Sequence, residues 1–312
     1  VDSDWYDVPD RDDLNPLWSP DSKWIVYNKV GRNFLRAVHV YSLADNKSTQ
    51  VSDGLSDQRY AAFDKGGRYI FFAASTNTSF SSGWLDMSSI DRIVNRNVYV
   101  VVLRKEDASP LAPESDEEKT DAKKEEPKKD EKKDAAPEVK IDFEDIGQRI
   151  LSLPVPARNY GGLLPGKAGV IFLAELPAVI NNGPPSITLQ KFDLKTRKEE
   201  QYLSGVRGGD ISYNGEKFLY RRGDGWFIAG TAAPAKAGDG AIKVADMEVR
   251  VEPMEEWKQI YNETWRIQRD FFYDPNLHGV NLADYKAKYG KFLPGIAHRQ
   301  DLNALMSEML GE

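Results

Sequence analysis

The chain has 312 residues, of which 40% are hydrophobic and 11% aromatic, and its formal net charge is −7. This length favours two domains, and the acidic balance argues against a nucleic-acid-binding surface, because basic residues form no continuous face. The sequence contains no cysteine, which excludes disulfides, thiolate catalysis and cysteine-ligated metal sites. No run of about eighteen apolar residues occurs, so we expect no membrane partner. The composition fits a cytoplasmic protein and does not exclude a periplasmic one.

A repeated pattern of strand, tight turn and strand dominates residues 15–251. Four segments share the pattern: NPLWSPDSKWIVYNK from Asn15, RYAAFDKGGRYIFFAAS from Arg59, YGGLLPGKAGVIFLAEL from Tyr160 and GGDISYNGEKFLYRR from Gly208. Each contains residues typical of hairpin turns, such as Pro-Asp-Ser or Asn-Gly. Equivalent positions recur about every 45–50 residues once one long insertion is removed, which is the period of a four-stranded propeller blade.

Further strands complete the predicted blades. Third strands are expected from Ala37, from Asn97 and, as one stretch, over residues 186–203, while residues 225–230 continue the fourth segment. An open antiparallel sandwich is the alternative, but sandwiches rarely return to one signature at a constant interval. We therefore predict a mainly β fold: a partial β-propeller of about four blades over residues 1–252, followed by a small α-helical bundle over residues 253–312.

Three segments of the predicted propeller do not fit the blade pattern. Residues 1–10 read as a leftover outer strand, and an arc of four blades leaves sheet edges open, so we expect a piece of a longer protein. Residues 105–140, in the second or third blade, are a charged insertion. We predict a disordered, mobile loop there rather than a docking tail, because its charges nearly cancel. Residues 76–96 form a smaller loop, in which Trp84 and Leu85 could cover a surface or meet another domain.

Residues 253–312 predict three short amphipathic helices. The first has Pro253 near its start and is ended by Asp274-Pro275, the second follows Asn281, a favourable N-cap, and the third begins near Arg299. The predicted apolar stripes are Ile260, Tyr261, Thr264, Trp265, Gln268, Phe271 and Phe272 in the first helix, Leu282, Tyr285, Tyr289 and Phe292 in the second, and Leu302, Leu305, Met306, Met309 and Leu310 in the third. Helices this short cannot bury such stripes singly, so we expect them to pack together.

The search for catalytic and metal-binding motifs is largely negative. No G-x-S-x-G, HExxH, EF-hand or Walker A sequence occurs. The three histidines lie far apart in the sequence. We expect His39 to be an ordinary strand residue, His278 to shape the bend at Gly279, and His298 to lie near the start of the third helix. The sequence therefore assigns no catalytic residue, no metal ligand and no cofactor, and the substrate-binding residues stay unknown.

Two stretches resemble a known family. Residues 141–163, IDFEDIGQRILSLPVPARNYGGL, look like a blade-entry signature of the tricorn-type serine proteases. Residues 256–312 resemble the helical domain that follows their second propeller, with matches in the same order that include Trp265-Arg266, Arg269-Asp270, His278-Gly279 and Asp301-Leu302. Asn281-Leu282 departs from this pattern, because the family often has Asp-Trp there. The WSPDSKW turn at Trp18 is shared more widely, with TolB-like and prolyl-oligopeptidase propellers.

The resemblance implies a fragment of a large cytoplasmic serine peptidase, covering part of its second β-propeller and the start of the helical domain of its catalytic core. Peptide substrates, the remaining PDZ and catalytic domains, and a hexameric assembly are the implied partners. The propeller would be a substrate portal or filter, and the helical domain would support a catalytic Ser-His pair beyond Glu312. The family's substrate-anchoring arginines belong to its first propeller and do not map to Arg92, Arg96, Arg158 or Arg207.

Two other functions remain open. A TolB-like propeller would be a binding module without catalysis. A prolyl-oligopeptidase-type hydrolase would attach a domain with G-x-S-x-G to the propeller, and the helical residues from Trp257 argue against it. Under the peptidase hypothesis, we expect the isolated chain to have no peptidase activity.

Overall fold

The computed structural model describes residues 14–77, 93–113, 137–177 and 186–311. The chain divides into two compact units, Val1–Lys243 and Val244–Glu312. The predicted strand at residues 1–10, most of the charged insertion, and Trp84 and Leu85 lie outside the described residues. The domain boundary after residue 252 stays a prediction.

In its described part, the first unit consists of four antiparallel sheets of four strands, and each sheet follows the order of the chain. We call them blades 1 to 4. Blade 1 contains β1 (Leu17–Trp18), β2 (Trp24–Val30), β3 (Arg36–Ser42) and β4 (Lys47–Gln50). Blade 2 contains β5 (Asp57–Phe63), β6 (Tyr69–Ser75), β7 (Asn97–Val102) and β8 (Ile150–Ser152). Blade 3 contains β9 (Tyr160–Pro165), β10 (Val170–Glu175), β11 (Ile187–Asp193) and β12 (Lys198–Val206). Blade 4 contains β13 (Gly208–Ile211), β14 (Lys217–Arg222), β15 (Gly225–Gly230) and β16 (Ala241–Ile242).

These strands refine one sequence prediction and contradict another. The charged insertion belongs to blade 2, because it lies between β7 and β8. The prediction of one strand over residues 186–203 is wrong, because a turn separates β11 from β12. The Asp193 carboxylate accepts hydrogen bonds from the main-chain N–H groups of Lys195 and Thr196, and Arg197 has a φ of 55°. Such an aspartate-stabilised turn ends a strand even where strand-forming residues lie on both sides.

The core of the first unit lies between successive blades. All seven residues of β6 are buried. Tyr69, Phe71 and Ala73 pack in the cluster shared with blade 3, whereas Ile70 and Phe72 pack in the cluster shared with blade 1. This division follows from strand geometry, since successive side chains point to opposite faces of a sheet. A strand with a blade on each side is therefore buried at every position.

Polar side chains also join neighbouring blades. The Asn28 Oδ1 of blade 1 accepts a hydrogen bond from the Ala61 N–H of blade 2 at 3.0 Å. The Tyr202 hydroxyl of blade 3 donates to the Gly230 carbonyl of blade 4 at 2.9 Å. The first bond satisfies a buried main-chain N–H group, which would cost about 1–3 kcal/mol if left without a partner. These contacts join blade 1 to blade 2 and blade 3 to blade 4.

The second unit contains α1 (Pro253–Phe271), α2 (Leu282–Gly290) and α3 (Arg299–Gly311). The Asn281 side chain caps α2 by accepting the N–H groups of Ala283 and Asp284. Six buried residues form the core: Tyr261, Trp265, Tyr289, Ile296, Leu302 and Met309. The predicted architecture, four-stranded blades followed by a small helical part, is thus confirmed.

The predicted apolar stripes of the helices are too long. Four residues expected in them are exposed: Phe271, Phe272, Phe292 and Leu310. All four lie at helix ends, because α1 ends at Phe271, α2 ends at Gly290 and α3 ends at Gly311. Helical spacing specifies an angular position, but it does not specify how far along its axis a short helix is covered.

Candidate functional site

Turns from all four blades surround one cavity of about 1010 Å³ in the first unit. We call this cavity the mouth. Four turns contribute to it, each joining the first strand of a blade to the second. The lining lies within residues 17–22 of blade 1, 63–65 of blade 2, 164–168 of blade 3 and 210–216 of blade 4, together with Pro137. The propeller-like arrangement thus brings together four turns that are far apart in sequence.

Short-range hydrogen bonds make the turn of blade 1 rigid. The Ser19 hydroxyl donates to the Asp21 carboxylate at 2.6 Å and accepts the Trp24 N–H at 3.0 Å. The other Asp21 oxygen accepts the Val139 N–H at 2.9 Å. Burial alone would raise the pKa of Asp21, but the bonds from Ser19 and Val139 outweigh it and lower that pKa. Asp21 therefore stays ionised and holds the turn.

The turn of blade 4 is built in a similar way. The Ser212 hydroxyl accepts the Lys217 N–H at 3.0 Å and donates to the Asn214 side-chain oxygen at 2.8 Å. Gly215 has a φ of 73°, and a Cβ added there would lie 2.6 Å from the main-chain nitrogen of Lys167 in blade 3. Only glycine allows this approach, so the turns of blades 3 and 4 touch directly.

Contacts also cross between the turns of other pairs of blades. The Tyr213 hydroxyl of blade 4 donates to the Pro20 carbonyl of blade 1 at 3.2 Å. The Lys65 ammonium of blade 2 donates to the Ser212 carbonyl of blade 4. The buried Asp64 carboxylate of blade 2 accepts the Gly169 N–H of blade 3 at 2.7 Å. The lining is therefore ordered before any ligand enters.

The charges that line the mouth are balanced. Lys167 and Glu216 form an ion pair at 3.0 Å. Burial lowers the pKa of Lys65, and the carboxylate of Asp210 opposes that shift. The lining thus offers two cations and two carboxylates among otherwise largely apolar side chains.

A cluster of arginines lies at the end of β5 away from the mouth. Asp57 is 1% exposed, and its carboxylate contacts Arg36 at 3.2 Å, Arg59 at 2.9 Å and Arg96 at 3.5 Å. Burial would raise the pKa of Asp57, but the guanidinium groups of Arg59 and Arg36 hold it below its usual value. We call these four residues the arginine cluster. The ion pairs of the cluster join blade 1 to blade 2.

The other arginines considered from the sequence are also in ion pairs or outside the described residues. Arg158 contacts Glu199 at 2.7 Å and Arg207 contacts Asp224 at 3.7 Å, while Arg92 is not among the described residues. Their observed partners belong to the chain itself.

Each of the three histidines has contacts within its own unit. The Nδ1 atom of His39 lies 3.5 Å from the Ser48 hydroxyl, beyond the usual reach of about 2.6–3.2 Å for a serine and its base. His278 has a φ of 52° in a turn where Asp274 accepts its N–H and its ring contacts the Tyr273 hydroxyl. The Nδ1 atom of His298 accepts the Gln300 N–H at the start of α3.

Among the described residues, no group of three histidine, aspartate or glutamate side chains is placed to hold a metal ion. None of the helices described is both long enough and apolar enough to span a membrane.

Sequence reasoning missed both the mouth and the arginine cluster. The turns at residues 20–22, 65–67, 165–167 and 214–215 are predicted as turns, but local patterns do not say that they meet. A weak signal existed for the cluster, because Arg36 and Asp57 are charged residues that begin β3 and β5, and Arg96 directly precedes β7.

Family models and known proteins give one consistent match. The model of the tricorn protease second beta propeller domain matches residues 11–232, and that of the tricorn protease C1 domain matches residues 253–311. Tricorn protease homolog 1 of Streptomyces coelicolor is 25% identical, covering 97% of this chain and 29% of its own length. A putative tricorn-like protease C-terminal subunit of Sulfurisphaera tokodaii is 26% identical, covering 100% of this chain and 34% of its own length.

The solved structure of the tricorn protease is similar in fold. Its TM-score is 0.65 at 19% sequence identity, and the match covers 95% of this chain and 28% of that one. The chain thus spans about a third of the length of the relatives named here. Since the propeller model alone covers more than half of the chain, the chain belongs to the tricorn protease family.

Proposed function

We propose that the parent protein is a cytoplasmic, hexameric serine peptidase and that this chain supplies part of its second propeller and the start of the helical domain of its catalytic core. The observation that carries the proposal is the succession of the two matched domains on one chain, residues 11–232 and then 253–311. The relatives named above are proteases and are about three times longer. The catalytic residues, the PDZ domain and the supporting acid would then lie outside these 312 residues.

The propeller acts as a portal or filter for peptides. Support comes from the mouth, where four rigid turns surround about 1010 Å³. Such an opening admits an extended chain and excludes a folded domain. Since the turns hold one another through hydrogen bonds, admission requires no large rearrangement of the lining.

The helical unit acts as a scaffold for a catalytic Ser-His pair. A serine nucleophile needs a base held within hydrogen-bonding reach and oxyanion donors held at fixed positions. Support comes from the core of the unit. Tyr261 packs edge-on against Trp265 at 6.1 Å, and its hydroxyl donates to the Lys286 carbonyl at 2.6 Å. These contacts join α1 to α2. The Thr264 hydroxyl of α1 also contacts the Met306 sulfur of α3 at 3.3 Å, and Leu302 and Met309 of α3 are buried in the same core, so α3, from which the following chain departs, is held in place.

The test compares the purified chain with the full-length parent on a fluorogenic peptide. We expect turnover by the parent that a serine reagent abolishes, and none by the chain alone. Turnover by the chain alone that is sensitive to the same reagent would overturn the assignment of catalysis to the rest of the parent. A parent that binds the peptide without cleaving it would instead favour the binding function of a TolB-like propeller.

A further inference from the structure

The mouth exposes two large aromatic side chains. Trp18 is 57% exposed and Tyr213 is 77% exposed. Both line the cavity, on the turns of blades 1 and 4. Tyr213 is held by the bond from its hydroxyl to the Pro20 carbonyl, so its ring is fixed although it is exposed. Fixed aromatic rings are effective binding contacts, because little side-chain entropy is lost when a ligand covers them.

The remaining lining favours an uncharged ligand. Leu17, Pro20, Leu164 and Pro165 contribute apolar surface around the two rings. The charges of the lining already face one another. Lys167 pairs with Glu216 at 3.0 Å. The carboxylate of Asp210 interacts with the Lys65 ammonium, which also donates to the Ser212 carbonyl. A charged ligand would lose hydration there without gaining an uncompensated counter-charge. An apolar side chain loses no such hydration and covers apolar surface.

The size of the cavity favours a peptide over a small molecule. A volume of about 1010 Å³ lies at the upper end of the range of about 300–1,000 Å³ that small-molecule sites occupy. Aromatic-lined grooves are also a common way to bind extended, proline-containing segments. Stacking against an aromatic ring adds about 0.5–1.5 kcal/mol of binding free energy beyond the contribution of the buried area.

We propose that the mouth binds extended, uncharged peptide segments that carry a large aliphatic or aromatic side chain, with Trp18 as the main contact. This inference rests on the proposed function, because it takes the ligand to be a peptide. It adds selection by side-chain chemistry to selection by width. Peptides rich in charge would pass the mouth without being held.

The test is calorimetric titration of the chain with two capped heptapeptides. One has Phe-Pro-Leu at its centre between glycines, and the other has Glu-Pro-Lys there. We expect the apolar peptide to bind at least about tenfold more tightly, which corresponds to about 1.4 kcal/mol. Equal affinities, or no detectable binding of either peptide, would overturn the inference.

Variants locate the binding site. Trp18→Ala should lower the affinity for the apolar peptide by about tenfold or more, and Tyr213→Ala should lower it by a smaller factor. Trp226→Ala is the matched control, because Trp226 is also partly exposed but does not line the mouth, and it should bind as the original chain does. Melting temperatures identify any variant that has lost its fold. Unchanged binding by both folded mouth variants would overturn the inference.

Two further outcomes separate this inference from the proposed function and from self-association. If the parent cleaves both peptides and the chain discriminates neither, the inference fails and the proposed function stands. If the chain discriminates them and the parent cleaves neither, the proposed function fails instead. Sedimentation of the chain that shows dimers lost on Trp18→Ala would assign the rings to a second copy and overturn the peptide site.

Discussion

The second strands of blades 2 and 4 occupy equivalent places, but within the described residues only the strand of blade 2 has a blade on each side. All seven residues of β6 in blade 2 are buried. In β14 of blade 4, Phe218 and Tyr220 are buried against blade 3, whereas Leu219 is 39% exposed on the opposite face. Leu219 pairs across the sheet with Ile228, which is also exposed. The stability of a blade therefore depends on how many neighbours it has, and this comparison can be tested by substitution.

The largest loss is expected from Phe71→Ala in β6. Phe71 is fully buried between blades 2 and 3, so its removal leaves a cavity that both sheets surround. Such substitutions cost about 3–5 kcal/mol in unfolding free energy. Urea denaturation measures the change. A loss below about 1 kcal/mol would mean that the interface between these blades is not packed as described.

Asp57→Asn should lower the unfolding free energy by about 3 kcal/mol at neutral pH, because the buried Arg96 and the partly buried Arg36 and Arg59 lose their shared carboxylate. The folded-state pKa of Asp57 is lowered, so its stabilising effect is complete above the ordinary aspartate pKa of about 3.9. It is lost as the pH falls through the lower, folded-state value. The difference between the two proteins should therefore shrink in acid.

Denaturation at a series of pH values measures that difference. The control is Asp224→Asn, because the Asp224 side chain is 97% exposed and its two arginine contacts are longer than 3.5 Å. The control should behave like the original chain at every pH. A difference between Asp57→Asn and the original chain that stays constant down to strong acid would contradict the role of the ionised carboxylate.

Asn28→Ala should lower the unfolding free energy by about 2 kcal/mol, because the Ala61 N–H between blades 1 and 2 loses its acceptor while staying buried. Hydrogen exchange gives a direct readout. The Ala61 amide should exchange faster than in the original chain, and by a larger factor than amides of blade 4. An Ala61 amide that stays equally protected would show that the bond does not join the blades.

The smallest effect is expected from Leu219→Ala, at about 1 kcal/mol, because the side chain is already partly in water. Comparison with Phe71→Ala in the same denaturation series sharpens the contrast between the two strands. A loss as large as that of Phe71→Ala would mean that another surface covers this face of blade 4 in solution.

Local sequence patterns predict the elements better than their assembly. The hairpin turns and the period of the repeat predict the blades, and Asn281 predicts the start of α2. The patterns fail where long-range packing determines strand boundaries or the burial of a side chain. They merge β11 with β12, and they place Phe271 in the apolar stripe although it is exposed at the end of α1.

The candidate site shows the same limit more clearly. Each turn of the mouth is visible in the sequence, but contacts such as Tyr213 with Pro20 join residues 193 positions apart. No sequence periodicity encodes a contact between residues so far apart in the chain, because that contact depends on the angle between successive blades. The three histidines were the residues with the most obvious chemistry, and the structure places none of them at the mouth.

Photo-crosslinking tests most directly whether the mouth is where peptides bind. An apolar peptide carrying a photoreactive phenylalanine would be irradiated with the chain, and the attachment sites would be mapped by mass spectrometry. The account predicts crosslinks within residues 17–22 and 210–216, and their loss in Trp18→Ala. Crosslinks concentrated on the exposed face of blade 4 at Leu219 and Ile228, or on the helical unit, would contradict it.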